Sequence, residues 1–182
     1  MLQVSRTLGL AGAAVFALLG SPGAAQQAIH TDLLPRLVHR SEGQRRYLAD
    51  GRFMLLKVGP QTTGANYLFM GAEDMPPGTM IPEHQHEVDE EVLLITRGRM
   101  RVVLNGDTTE AGPGDVSFLP ARSRLSAKAL PPDTATVYFV FPRGSVERCF
   151  QAVGRGPGET GPHRPTHADT LEVPPACQMT YF

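Results

Sequence analysis

The chain predicts an all-β fold, an antiparallel sandwich or barrel, on three observations. Short apolar runs recur about every 8–12 residues through its middle, the rhythm of strands in such folds. Strong turn signals separate the runs, and Gly (19) and Pro (16) are enriched over 182 residues without reaching the level of a low-complexity chain. Charged residues make up only 19% and Trp is absent, which excludes a coiled coil, a collagen, a helical bundle and a polybasic arm. With 17 Lys+Arg against 18 Asp+Glu, the chain has no electrostatic footprint for nucleic acid and no basic face for an anionic membrane. The length suits one domain.

Residues 1–25 read as a secretory signal peptide. Arg6 gives the positive start, Leu8 to Leu19 the apolar stretch, and Ser21-Pro22-Gly23-Ala24-Ala25 a small-residue cleavage region. The apolar stretch is shorter than the roughly 20 residues a membrane-spanning helix needs. Cleavage after Ala25 leaves 157 residues with 16 basic against 18 acidic groups, destined for the periplasm or secretion and free of the membrane. Residues 26–50 are polar, lack a period, and form an N-terminal segment leading into the fold.

The barrel region, 51–154, follows. Phe53–Val58 is a strand ended by Gly59-Pro60, Asn66–Ala72 a second, and Met75-Pro76-Pro77-Gly78 a turn. Val92–Thr96 is a β-branched strand broken at Gly98. Met100–Leu104 and Thr108–Ala111 pair across Asn105-Gly106, a strong hairpin signal. Gly112-Pro113-Gly114-Asp115 turns the chain into Val116–Leu119, stopped by Pro120, and Thr134–Phe141 is the last clear strand. Ser145–Val153 is predicted as a short helix, with Ser145 as N-cap, Glu147 in the first turn, and Val146, Cys149, Phe150 and Val153 on one apolar face. Gly154 stops it. Residues 155–182 form an extended Pro/Gly-rich tail. Cys149 and Cys177 suit a disulfide in an oxidising compartment. Two buried thiols or a metal pair are the alternatives.

The informative stretch is His84-Gln85-His86 with Asp89-Glu90-Glu91 after it. In an extended segment i and i+2 share a face, so both imidazoles can enter one cavity. A turn near Val88-Asp89 can return Glu91 to that cavity. Two imidazoles and a carboxylate on one side make a facial ligand set with open positions for water, dioxygen or a chelating substrate. Glu91 inward puts Glu90 outward in solvent, whereas a one-residue slip would exchange them. His163 and His167 lie in the tail and reach the site only if the tail folds over it. His30 and His39 have no partner that can be named, and Arg122 and Arg124 read as surface groups.

Read as it stands, Gly78-x5-His84-x-His86-x4-Glu91-x6-Gly98 resembles the first motif of the cupin superfamily, and Gly112-Pro113-Gly114-Asp115 with Pro120 resembles the start of the second. Asp89 to Gly98 and Pro142 to Arg148 are most similar to the quercetinase-like branch of small single-domain cupins, with the likeness spanning roughly residues 50–145. The resemblance implies an antiparallel double-stranded β-helix, the jelly-roll barrel, with the short C-terminal helix and extended tail appended. It also implies one divalent metal, Fe, Mn, Ni or Zn, held by His84, His86 and Glu91, and dimerisation through barrel edge strands. The second motif departs from the family. Arg122 stands where Gly is usual and Leu125 where the fourth ligand, a His, is usual.

Two outcomes follow from Leu125. His84, His86 and Glu91 hold a metal alone, or the site has lost its metal. The leading reading is an exported metal-binding cupin with dioxygenase-like chemistry on a small organic substrate, with no catalytic residue assigned. The alternatives are a metal-dependent isomerase or lyase, a non-catalytic small-molecule-binding or sensor cupin with a degenerate site, and a partner-binding domain that uses the tail. No nucleophile elbow, P-loop or dinucleotide fingerprint is present.

Overall fold

The computed structural model describes residues 33–48, 51–152, 154–159 and 177–182. The signal-peptide reading of residues 1–25, His30, His163 and His167 lie outside the described residues. Eleven strands are present among those described: β1 (Gln44–Tyr47), β2 (Phe53–Val58), β3 (Phe69–Met75), β4 (Met80–His86), β5 (Glu91–Arg97), β6 (Arg99–Leu104), β7 (Asp107–Ala111), β8 (Val116–Leu119), β9 (Leu125–Leu130), β10 (Ala135–Phe141) and β11 (Met179–Tyr181). A 3₁₀ turn, Gly144–Val146, leads into α1 (Glu147–Ala152).

The strands form two antiparallel sheets, ordered β1-β2-β3-β10-β5-β8 and β11-β4-β9-β6-β7. This is the predicted all-β jelly-roll, with a short helix after the last barrel strand. Its core lies between the sheets. Leu93 and Ile95 on β5 and Val137, Phe139 and Phe141 on β10 face Met100 and Val102 on β6 and Leu125, Ala127 and Ala129 on β9. Intervening positions alternate outward, as the period of a pleated strand requires.

The Asn105-Gly106 turn has positive φ at both residues, 50° and 94°, the backbone a two-residue hairpin demands. The second strand begins later than expected, at Phe69, and runs to Met75. Four strands were not anticipated as such. β1 arises inside the polar lead-in segment, β4 covers the histidine stretch from Met80, β9 follows Arg124, and β11 arises in the tail.

The helix is shorter than predicted, because the first turn of Ser145–Val153 is 3₁₀. The Ser145 side chain and Val153 lie outside what is described. Cys149 is buried, and the Phe150 ring stacks on Phe139 at 4.7 Å and 13°. The chain leaves the helix at Gly154, φ 69°, the left-handed stop that glycine adopts without strain. Cys149 and Cys177 form a disulfide with Cα atoms 4.6 Å apart. It ties α1 to the final six residues, so the end of the tail is docked on the barrel.

Candidate metal centre

His84 and His86 both lie on β4, at positions i and i+2, and both are buried at 6% exposure. Glu91 opens β5 in the opposite sheet and is 5% exposed. The strand parity expected from the sequence therefore holds: Glu91 points in and Glu90 is exposed. The candidate ligand atoms of His84, His86 and Glu91 lie within 4.8 Å of one another.

Local geometry prepares these groups as donors. His84 Nδ1 is 2.8 Å from the Pro82 carbonyl; donating there leaves Nε2 with its lone pair free, the arrangement typical of metal-binding histidines. Burial pushes the His84 imidazole below its ordinary value, which favours the neutral, ligating form. His86 Nε2 is 3.5 Å from Glu91 Oε2, and the His86 ring packs edge-on against Phe141 at 4.8 Å. Glu91 Oε2 is buried with no hydrogen-bond partner. A buried carboxylate oxygen without a hydrogen bond is costly in an apolar interior, and a cation held between it and the two imidazoles relieves that cost. The donor set fits a divalent ion.

The site opens on a cavity of about 70 Å³. Leu93, Leu125 and Phe139 are among its apolar walls. Leu125 is 2% exposed and lies across from His84 in the β4–β9 pairing. The place of the usual fourth ligand is thus occupied by a buried side chain that cannot coordinate. On the other side of His84 stands Tyr181, its register partner in the β4–β11 pairing. Tyr181 and Met179 line the cavity, as do Arg52 and Glu73, a buried ion pair at 2.9 Å. None of these four was singled out from the sequence. Tyr181 and Met179 reach the site only through the docking of the tail.

The loop joining β4 to β5 is also braced. Asp89, 3% exposed, accepts a hydrogen bond from Arg143 Nε at 2.5 Å. Glu87 N–H donates to the Gln178 carbonyl at 2.8 Å, and Arg122 N–H donates to the His86 carbonyl at 2.7 Å. Arg122 has φ 66°, the left-handed conformation in which glycine is at ease. Arg122 and Arg124 are surface groups as expected; Arg124 lies over the Phe182 ring at 3.7 Å. His39 sits apart from the site, its carbonyl accepting from Lys57 Nζ at 2.7 Å.

Residues 71–141 match the family described as "Cupin domain". The barrel is a cupin domain. Over 74 residues the chain is 40% identical to "Polyketide synthase CurC" of Streptomyces cyaneus, covering 41% of this chain and 47% of that protein. The match thus spans about half the length of the curated relative. Among solved structures, the cupin domain is similar to KdgF from a Halomonas species, with TM-score 0.53 and 21% identity over 60% of this chain and 96% of that one. It is similar also to a predicted oxalate decarboxylase of Thermotoga maritima, with TM-score 0.54 and 18% identity over 59% and 99%. A third is the polyketide cyclase RemF of Streptomyces resistomycificus, with TM-score 0.53 and 23% identity over 60% and 80%. At these identities the structural likenesses carry the fold alone.

Proposed function

We propose that this cupin is an exported enzyme that binds one divalent metal ion through His84, His86 and Glu91 and carries out dioxygenase-like oxidation of a small organic substrate. The observation that carries the metal reading is the buried Glu91 Oε2, which accepts no hydrogen bond, in a cavity shared with two imidazoles. When bound, such an ion supplies Lewis acidity and, for a redox metal, electron transfer at its open positions. With Leu125 in place of a fourth ligand, three protein donors leave more of those positions open.

The chain's own groups do the rest. The Pro82 carbonyl holds His84 Nδ1 and so fixes the ring. Leu93, Leu125 and Phe139 give the cavity apolar walls, which lower the local dielectric and strengthen polar contacts made beside them. The Asp89–Arg143 pair steadies the turn that presents Glu91. Export is supported by the character of residues 1–25 and by the Cys149–Cys177 disulfide, which suits an oxidising compartment.

A second reading is a metal-dependent isomerase or lyase, in which the same three donors hold an ion that acts as Lewis acid alone. A cavity of about 70 Å³ holds several waters or a small organic ligand, since about 10–15 Å³ of such space admits one water.

Metal analysis of protein purified from its native compartment, beside the His86→Ala variant, tests the site. The expected result is one metal ion per chain, lost in the variant. Sub-stoichiometric metal that the substitution leaves unchanged would instead favour the binding-only cupin. Oxygen uptake with small enolic chelators then separates the chemistries: turnover without oxygen consumption would replace the dioxygenase-like reading by the isomerase or lyase one.

A further inference from the structure

We propose that Tyr181 is the specificity-determining residue of this site, closing the cavity beside His84 and restricting it to short, oxygen-bearing chelating ligands. The proposal deepens the metal-site reading and rests on it.

Three observations carry it. The first is position. His84 has two cross-strand neighbours, Leu125 on β9 and Tyr181 on β11. Leu125 offers no polar atom, so the tyrosine is the polar flank of this ligand. The Tyr181 and His84 ring centroids are 5.7 Å apart at 44°, and both side chains line the same cavity.

The second is how firmly a three-residue strand is held. β11 pairs with β4 at Met179–His86, Thr180–Gln85 and Tyr181–His84. The disulfide anchors it just before its first residue. On the outer face the Thr180 hydroxyl donates to Glu87 Oε1 at 2.5 Å. Just beyond the strand, Phe182 N–H donates to the Glu83 carbonyl at 3.0 Å, and the Phe182 ring lies under Arg124. These contacts set the alternation that turns Met179 and Tyr181 inward. A loosely laid tail would not hold one side chain in one place.

The third is polarity. The Tyr181 phenol shares the cavity lining with the Arg52–Glu73 pair, and its hydroxyl can donate a hydrogen bond there. Tyr181, Arg52 and Glu73 give the cavity polar lining besides the ligand set. A matching ligand chelates through two oxygens and keeps a third as acceptor, as the carboxylate of a short 2-oxo or 2-hydroxy acid does. A bulky aromatic chelator meets the Tyr181 ring.

The test uses the full oxidised chain loaded with Co²⁺ and titrated with acetohydroxamate and benzohydroxamate. Binding is followed by the visible spectrum of the cobalt ion and by calorimetry. The parent protein is expected to prefer acetohydroxamate by about tenfold or more, the scale on which a filled pocket rejects added bulk. Tyr181→Ala should tighten benzohydroxamate by about tenfold and leave acetohydroxamate within about threefold. Tyr181→Phe should keep the size preference and, like the alanine variant, leave acetohydroxamate within about threefold, which separates the ring from its hydroxyl. Tyr181→Leu, which keeps an apolar plug, stands in if the alanine variant does not fold. Cobalt held by all variants with the size preference unmoved would overturn the role of Tyr181 alone. A parent chain that is folded by circular dichroism yet releases cobalt on dialysis would overturn the metal reading and this one with it.

Discussion

Replacing Leu125 by histidine would put an imidazole where the cupin motif usually carries one, and the structure sets the expected magnitude. Leu125 is 2% exposed and belongs to the core. Burying a leucine contributes about 1.5–3 kcal/mol, of which an imidazole recovers only part. The new ring also brings a polar nitrogen into an apolar wall, at about 1–3 kcal/mol if unpaired. The metal-free variant should therefore be less stable than its parent by about 3 kcal/mol, or about 6–12 °C in Tm for a domain of this size. Added metal should reverse the order of the effects. Saturation to a hundred times Kd stabilises by about 2.7 kcal/mol, and each tenfold gain in affinity from a fourth ligand adds about 1.4 kcal/mol at fixed metal concentration. Calorimetric unfolding of both proteins in chelator and in excess Zn²⁺ measures the four values required. The zinc-induced rise in Tm should be larger in Leu125→His than in the parent. Equal rises in the two proteins would refute the placing of residue 125 at the ligand pole. A metal-free variant as stable as its parent would refute the packing argument.

Other perturbations report on the surroundings of the site. Removing the disulfide by Cys149→Ser with Cys177→Ser should cost about 3–4 kcal/mol on the chain-entropy model for its separation of 28 residues, read by urea unfolding; a loss below about 1 kcal/mol would show that the tail does not depend on it. Arg143→Ala strips the partner from buried Asp89, and because Arg143 is half exposed the cost should be about 1–2 kcal/mol. Chelator competition should show metal affinity falling about tenfold as the Glu91 turn loosens, and unchanged affinity would dismiss that bracing role. Glu147 is 1% exposed, and burial pushes its carboxyl up, against the opposing hydrogen bonds from Gln61 and Thr62. The folded chain then binds this proton more tightly than the unfolded one, so stability is lost as pH rises from about 4.3, the ordinary carboxyl value, through the raised folded value. Glu147→Gln should thus gain more over the parent at pH 8 than at pH 4 in urea unfolding, and a gain that is equal at both would contradict the shift.

What could be read from the sequence was whatever local chemistry specifies on its own. The β5 run Val92–Thr96, the Asn105-Gly106 hairpin and the i, i+2 histidines carry their geometry in adjacent residues, and each stands in the fold as expected. β9 reads Leu-Ser-Ala-Lys-Ala-Leu, poor in the β-branched and aromatic residues that mark strands. Its alanines are there for space, since Ala127 and Ala129 lie across from Val102 and Met100 in the core. β1 is polar because it is an edge strand, and its buried Arg46 is held by the Gly154 carbonyl at 3.1 Å, 108 residues away. β11 and Tyr181 depend on a sulfur bond and a sheet edge, neither of which leaves a local pattern. Asp89 was within reach: two residues before Glu91, it shares that residue's inward face by the same parity that sends Glu90 out.

The two departures from the second cupin motif behave differently for the same reason. At position 122 the family's glycine is used for its backbone, and Arg122 still adopts φ 66° while donating its N–H to His86. Arginine supplies that geometry at a cost of about 1–2 kcal/mol. At position 125 the family's histidine is used for its side chain, and no rearrangement of a leucine yields a donor. The turn that supports His86 is therefore kept while the fourth ligand is lost. A site altered in this way keeps its first three donors in place, and the polar cross-strand neighbour left to His84 is Tyr181 on the opposite flank.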